Sequence, residues 1–148
     1  MATRITATIE IAAAPEQVWA VLADLASYPQ WHPAFLKVTG ELAAGSSLTI
    51  TTTHPSSGKT MTAKVKVLTV EPGSELRWVS KIAGVTISER RFLLSPADGG
   101  TSLVQAETYR GIGGSRNVVK VMPRIRTAFE AINQAIKQQA EARQRDLG

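Results

Sequence analysis

The chain has 148 residues, 43% hydrophobic and 20% charged, with 17 lysines and arginines against 12 acids for a formal net charge of +5. A chain of that length buries roughly 70% of its unfolded surface around one core, and its ordinary apolar content excludes global disorder. Cysteine is absent, which excludes disulfides, thiolate catalysis and thiolate metal sites. No apolar run approaches the roughly 20 residues of a membrane-spanning helix, and Met1-Ala2-Thr3-Arg4 leads into alternation rather than an apolar leader. The expectation is one cytoplasmic domain over residues 1–148 without an integral membrane segment.

Ile5, Ala7, Ile9 and Ile11 alternate with Thr6, Thr8 and Glu10, the period of a half-buried strand. Pro15 followed by Glu16 marks a helix start. Val18, Val21, Leu22 and Leu25 form its apolar stripe, with Trp19 off the stripe and packed at an edge. Ser27 can cap a second short helical turn that Pro33 stops. From Phe35 onward, turn chemistry separates strands over Phe35 to Gly40, Ser47 to His54, Met61 to Glu71, Leu76 to Ser80, Val85 to Leu94 and Thr101 to Arg110. Their short connections predict antiparallel neighbours.

The last third changes period. Val118, Met122, Ile125, Phe129, Ile132, Ile136 and Ala140 recur at spacings of three and four, one face of a long helix. An interior proline costs about 3 kcal/mol, so the helix is expected to begin near Pro123, with Gly111 to Met122 a loop or a separate turn. Pro123 to Ala142 then spans about 30 Å, close to the roughly 36 Å of a strand from Met61 to Glu71, as a sheet curled around a helix requires.

Specific runs sharpen this reading. Ile11-Ala12-Ala13-Ala14-Pro15-Glu16-Gln17-Val18-Trp19 resembles the opening of the START-like (SRPBCC) superfamily of polyketide cyclase/dehydrase and lipid-transport proteins. Asp24-Leu25-Ala26-Ser27-Tyr28-Pro29-Gln30-Trp31-His32-Pro33 resembles its second signature. Phe92 ahead of the Gly99-Gly100-Thr101 turn, Glu107, Gly111 and the helix around Phe129 and Asn133 are similar to it as well. The resemblance covers nearly the whole chain. It implies an α+β helix-grip fold of the Bet v 1-like kind: a curved antiparallel sheet of about seven strands wrapped around a long C-terminal helix, with two short helices after the first strand. It further implies a cavity between sheet and helix that carries lipids, sterols, hormones or polyketides, with cyclisation or dehydration in some members.

Gln105, Glu107 and Tyr109 share a strand face with Thr101 and Leu103. If Leu103 points inward, all three do, and a carboxylate there needs a cation or stays protonated. Arg90 is the expected cation, provided that a bulge near Ser88 carries the inward face from odd positions (Val85, Ile87) to even ones (Phe92, Leu94). An internal Arg90–Glu107 pair would orient a polar head group; the opposite register would leave both solvated. If there is turnover, Arg90, Glu107 and Tyr109 are the catalytic candidates, shuttling protons or polarising carbonyls. Trp31, Phe35, Met61, Ala63, Trp78, Met122, Ile125 and Phe129 complete the expected ligand-binding set with Arg90, Gln105, Glu107 and Tyr109. Tyr28, Trp31 and Phe35 form either an aromatic lip at the entrance or a packing cluster, the commoner role of aromatics.

His32 and His54 lack the converging donors of a metal site, so neither metal nor cofactor is expected, and His54 reads as solvated beside its turn. There is no Gly-x-Ser-x-Gly elbow. Gly111-Ile112-Gly113-Gly114 lacks dinucleotide-binding spacing and reads as a flexible loop, with Val118, Val121 and Met122 a lid or part of an ordinary connector. Arg116, Lys120, Arg124, Arg126, Lys137, Arg143 and Arg145 read as the solvated back of the helix. No nucleic-acid recognition motif accompanies them, and transient membrane contact stays open. The expected function is a carrier or sensor of a small hydrophobic or amphipathic ligand, as a monomer or homodimer. The alternatives are a polyketide cyclase/aromatase or dehydratase, and an interaction module of the co-chaperone or quinone-binding type.

Overall fold

The period-two runs become strands and the period-3.6 runs become helices. The computed structural model describes residues 3–53, 57–82, 86–111 and 114–148, the side chains of 82, 86, 114–119 and 121 apart. In chain order the elements are β1 (Thr3–Ile11), α1 (Pro15–Ala23), a 3₁₀ turn (Leu25–Ser27), α2 (Tyr28–Trp31), β2 (Phe35–Gly40), β3 (Ser47–Thr53), β4 (Thr60–Glu71), β5 (Glu75–Ile82), β6 (Thr86–Ala97), β7 (Gly100–Gly111) and α3 (Gly114–Leu147). The strands form one seven-stranded sheet in the order β1-β7-β6-β5-β4-β3-β2. All neighbours are antiparallel, as short connections require. This is the α+β helix-grip arrangement.

Packing selects one face of each element. Leu48, Val67, Leu76 and Leu103 from the sheet and Ile132, Ile136 and Ala140 from α3 share one buried core with Val18, Val21 and Leu22 of α1. Each large aliphatic removed from water contributes about 1.5–3 kcal/mol. The C-terminal half of α3 is also tied to the first strand and helix by polar bonds. Asn133 Nδ2 donates to the Ala7 carbonyl at 3.2 Å and Lys137 Nζ to that of Glu10 at 2.9 Å. The backbone N–H groups of Ala12 and Ala14 donate to Glu141 Oε2 and Gln144 Oε1 at 2.8 and 2.9 Å. Lys137 is therefore half-buried and engaged, not part of a solvated helix back. At the same end of β1, a Cβ on Gly100 would stand 2.0 Å from the Ile11 carbonyl oxygen, so β1 and β7 meet there at a distance that only glycine permits.

Two expectations are corrected. The helix begins at Gly114, not near Pro123, and Pro123 lies inside it. Proline's fixed φ is helical, so the loss is one backbone bond and a local clash, and the packed length of α3 outweighs it. The loop expected over 111–122 is thus helix from 114 onward. Nor is there a bulge near Ser88: β6 and β7 keep continuous register from Thr86↔Gly111 to Ala97↔Gly100. From Ser88 to Leu94 the even positions face inward, with Ser88, Phe92 and Leu94 buried. Ile87 is an apolar side chain on the outer face, as is Leu93, which a sheet tolerates readily. The irregularities sit instead between Phe35 and Lys37 and between Val67 and Thr69. His54, the turn at Ala83-Gly84, Val85, Ile112 and Gly113 lie outside the described residues, as do the side chains of Val118 and Val121.

Candidate functional site

Adjacent strands bring the central polar group together. Arg90 of β6 and Glu107 of β7 are register partners on the face that α3 covers. Arg90 Nε donates to Glu107 Oε2 at 2.7 Å, and Nη2 lies 2.6 Å from the same oxygen. The Ser88 hydroxyl donates to the other carboxylate oxygen. The guanidinium carbon sits 5.0 Å from the centre of the Phe129 ring, a cation–π placement that ties the pair to α3. Tyr109 is the next inward residue of β7; burial first, and then the negative charge of Glu107, push its hydroxyl well above the ordinary phenol range.

A cavity of about 140 Å³ opens in front of this pair. Phe35, Ala63, Val65 and Trp78 supply apolar wall, while Ser88, Arg90 and Glu107 supply the polar side. Of the five N–H groups of a guanidinium, Glu107 takes two from Arg90, which leaves donors for an oxygen within the cavity. The ion pair is neutral as a unit. An anion placed there meets Glu107 and a cation meets Arg90, so the geometry favours an uncharged acceptor such as a carbonyl or hydroxyl oxygen.

The structure thus places Phe35, Ala63, Trp78, Arg90 and Glu107 on one cavity. Gln105 and Tyr109 share the strand face without lining it, and Phe129 closes over Arg90. Met122 and Ile125 pack beside Phe129 against Ile5, Ala7 and Tyr109. Met61 is 49% exposed, on a part of the β3–β4 hairpin that leaves the core, and lies apart from the cavity. Trp31 belongs to a packing cluster and gives its Nε1 proton to Ser27 at 3.0 Å. In that cluster Tyr28 is buried with its hydroxyl donating to the Leu22 carbonyl at 2.6 Å, and His32 stacks on Phe35 with ring centres 3.9 Å apart. His32 Nδ1 accepts the backbone N–H groups of Ala34 and Phe35 at 3.0 Å each. Burial, and then the positive charge of Arg90, lower its pKa to about 3. The packing role is the one observed, with Phe35 also reaching the cavity.

Sequence reasoning missed Ser88, Ser80, Val65, Ile50 and Thr52 as cavity residues. Alternation with Arg90 would have found Ser88, had the strand been read without a bulge. Behind the cavity lies a deeper polar layer: Gln105, on the inward face as expected, is fully buried with both amide atoms unbonded, and Asn133 Oδ1 is likewise unbonded, among the described residues. No group of three or more His, Asp or Glu side chains converges on a metal position among the described residues, and no described helix is long and apolar enough to cross a membrane.

The profile of the family described as polyketide cyclase / dehydrase and lipid transport matches residues 2–141. A comparison with curated proteins finds no match. Among solved structures, a protein from Rhodobacter sphaeroides is 26% identical, with 95% of this chain and 93% of that chain covered and a TM-score of 0.78. Ara h 8.0201 is 15% identical over 96% of this chain and 99% of its own, at a TM-score of 0.77. The di-domain ARO/CYC protein StfQ of the steffimycin biosynthetic pathway is 15% identical at a TM-score of 0.75; the match covers 99% of this chain and 51% of StfQ. The chain therefore spans about half the length of StfQ. Likeness at 15% identity carries the fold alone. A profile matched along nearly the whole sequence carries more, and by it the chain belongs to the polyketide cyclase/dehydrase and lipid-transport family.

Proposed function

We infer that the protein binds a small hydrophobic or amphipathic molecule between the sheet and α3, as a carrier or sensor without turnover. The observation that carries this reading is the Arg90–Glu107 pair facing an apolar-walled cavity. A few fixed polar groups in an otherwise apolar concavity are the usual composition of a ligand site. The bound end of the ligand is an uncharged oxygen, held by the guanidinium donors that Glu107 leaves over. Lipids and polyketones both present such oxygens, in keeping with the family's description.

A second reading is a polyketide cyclase, aromatase or dehydratase. One observation favours it: Arg90 can polarise a carbonyl, and Tyr109, held protonated, is a donor on the same strand face. Against it, the carboxylate of Glu107 is committed to Arg90 and Ser88, whereas a general base needs a lone pair within reach of the substrate proton.

The test is a fluorescence titration with the neutral hydrophobe N-phenyl-1-naphthylamine. Ala63→Trp fills the cavity from an exposed position and should weaken binding at least tenfold, about 1.4 kcal/mol, with the fold retained by circular dichroism. Unchanged affinity would overturn the binding site. Incubation with a linear poly-β-ketone thioester separates the two readings. Cyclised product that disappears in Glu107→Gln would replace the carrier by the enzyme.

A further inference from the structure

The sheet is split where the cavity lies. β4 and β5 pair from Glu71↔Glu75 as far as Lys66↔Val79, and there the pairing ends. Beyond that point, residues 60–65 of β4 pair only with β3, and residues 80–82 of β5 pair only with β6. Continued register would set Val65 against Ser80 and Lys64 against Lys81; instead the two hairpins part. Val65 and Ser80, the residues on either side of the split, line both the inner cavity and a groove of about 360 Å³ on the outer face. Ala63 is exposed to solvent although it lines the inner cavity, as a side chain beside an opening would be.

Volume makes the connection matter. At about 140 Å³ the inner cavity is smaller than the roughly 300–1,000 Å³ of ordinary small-molecule sites. Joined to the outer groove of about 360 Å³, it gives about 500 Å³, within that range.

The groove has a sign as well as a size. Lys64, Lys66 and Lys81 are exposed around it, over the apolar side chains of Val79 and Ile87. The acids of β5 and β6 on that sheet face are already engaged: Glu75 with Arg77 and Arg91 at 2.9 and 3.1 Å, and Glu89 with Arg77 and Arg110 at 3.2 and 3.4 Å. Among the described residues none of the three lysines has an ion-pair partner. Successive outward residues of one strand stand about 6.8 Å apart, so their field adds over a single bound anion.

Building on the cavity reading, we propose that the ligand enters and leaves through the split between β4 and β5. It lies with its uncharged oxygen at Arg90, its apolar middle past Val65, and an anionic outer end, carboxylate or phosphate, among Lys64, Lys66 and Lys81. The class is therefore an acyl or polyketone chain bearing an anion at the end remote from the buried oxygen.

The cysteine-free chain makes a clean clamp feasible. In the double variant Lys64→Cys/Lys81→Cys, a reducible bis-methanethiosulfonate cross-link bridges the split, and stopped-flow fluorescence follows exchange of N-phenyl-1-naphthylamine. Exchange should slow at least tenfold on cross-linking and recover on reduction, with the uncross-linked variant as control. Binding retained with exchange unchanged would overturn the portal and leave the cavity reading standing; no binding to the unmodified protein would overturn both. For the anionic end, the displacing ligands are 12-hydroxydodecanoate and its methyl ester. Lys64→Glu/Lys66→Glu/Lys81→Glu should weaken the carboxylate about tenfold and leave the ester unchanged. An equal effect on both ligands, or on neither, would overturn the anionic assignment.

Discussion

His32 trades its titration for two backbone hydrogen bonds. As a buried neutral acceptor it has a folded pKa of about 3 against an ordinary 6.5. Between those values the unfolded chain takes up a proton that the native protein refuses, so stability rises with pH across the window. The contribution is complete above pH 6.5 and is lost as pH falls toward 3. Urea midpoints should therefore drop between pH 7 and pH 5, before most carboxylates titrate. His32→Asn keeps a side-chain acceptor for the following N–H groups and should flatten that slope; an unaltered slope would assign it to other groups. Glu107→Leu should destabilise by about 3 kcal/mol, because Arg90 would remain largely buried without its partner. Replacing both residues by methionine should recover most of the loss in the same urea assay. Gln105→Met removes two buried, unbonded amide atoms and should stabilise by about 1 kcal/mol, read as a Tm higher by about 2–4 °C.

Among the elements, sequence legibility followed the locality of the signal. β1, the buried end of β4, and β7 were readable because alternation is written within each strand, and the Arg90–Glu107 pair followed once both inward faces were known. α3 was misplaced at its start because Pro123 is a strong local stop, while the packing that overrides it is tertiary. The split between β4 and β5 was invisible for a related reason. Threonine- and lysine-rich strand ends specify strand but not where pairing with a neighbour stops. Glycines are legible only in part. Gly100 and Gly45 look alike in sequence, yet a Cβ at Gly100 would strike the Ile11 carbonyl at 2.0 Å, whereas at Gly45 it meets nothing within 4 Å. Gly100→Ala should cost more than about 2 kcal/mol and Gly45→Ala, strained only by its φ of 89°, about 1 kcal/mol, compared by thermal unfolding.

At the scale of the molecule, spatial order and chain order part at one place. The strands from β2 to β7 follow one another across the sheet, but β1 pairs with β7, Thr3 against Tyr109 and Ile11 against Thr101. The same strand and the residues leading into α1 accept bonds from Asn133 and Lys137 and donate to Glu141 and Gln144, some 126 to 130 residues later. Closing such long loops is slow relative to hairpin formation. During vectorial synthesis β1 consequently waits for β7, its sheet partner, and its apolar face waits through translation of the meander between them. A nascent chain halted after β7 can zip its sheet yet still lacks the bonds to Glu10, Ala12 and Ala14. The final turns of α3 thus work as a latch that can close only once every strand has been made.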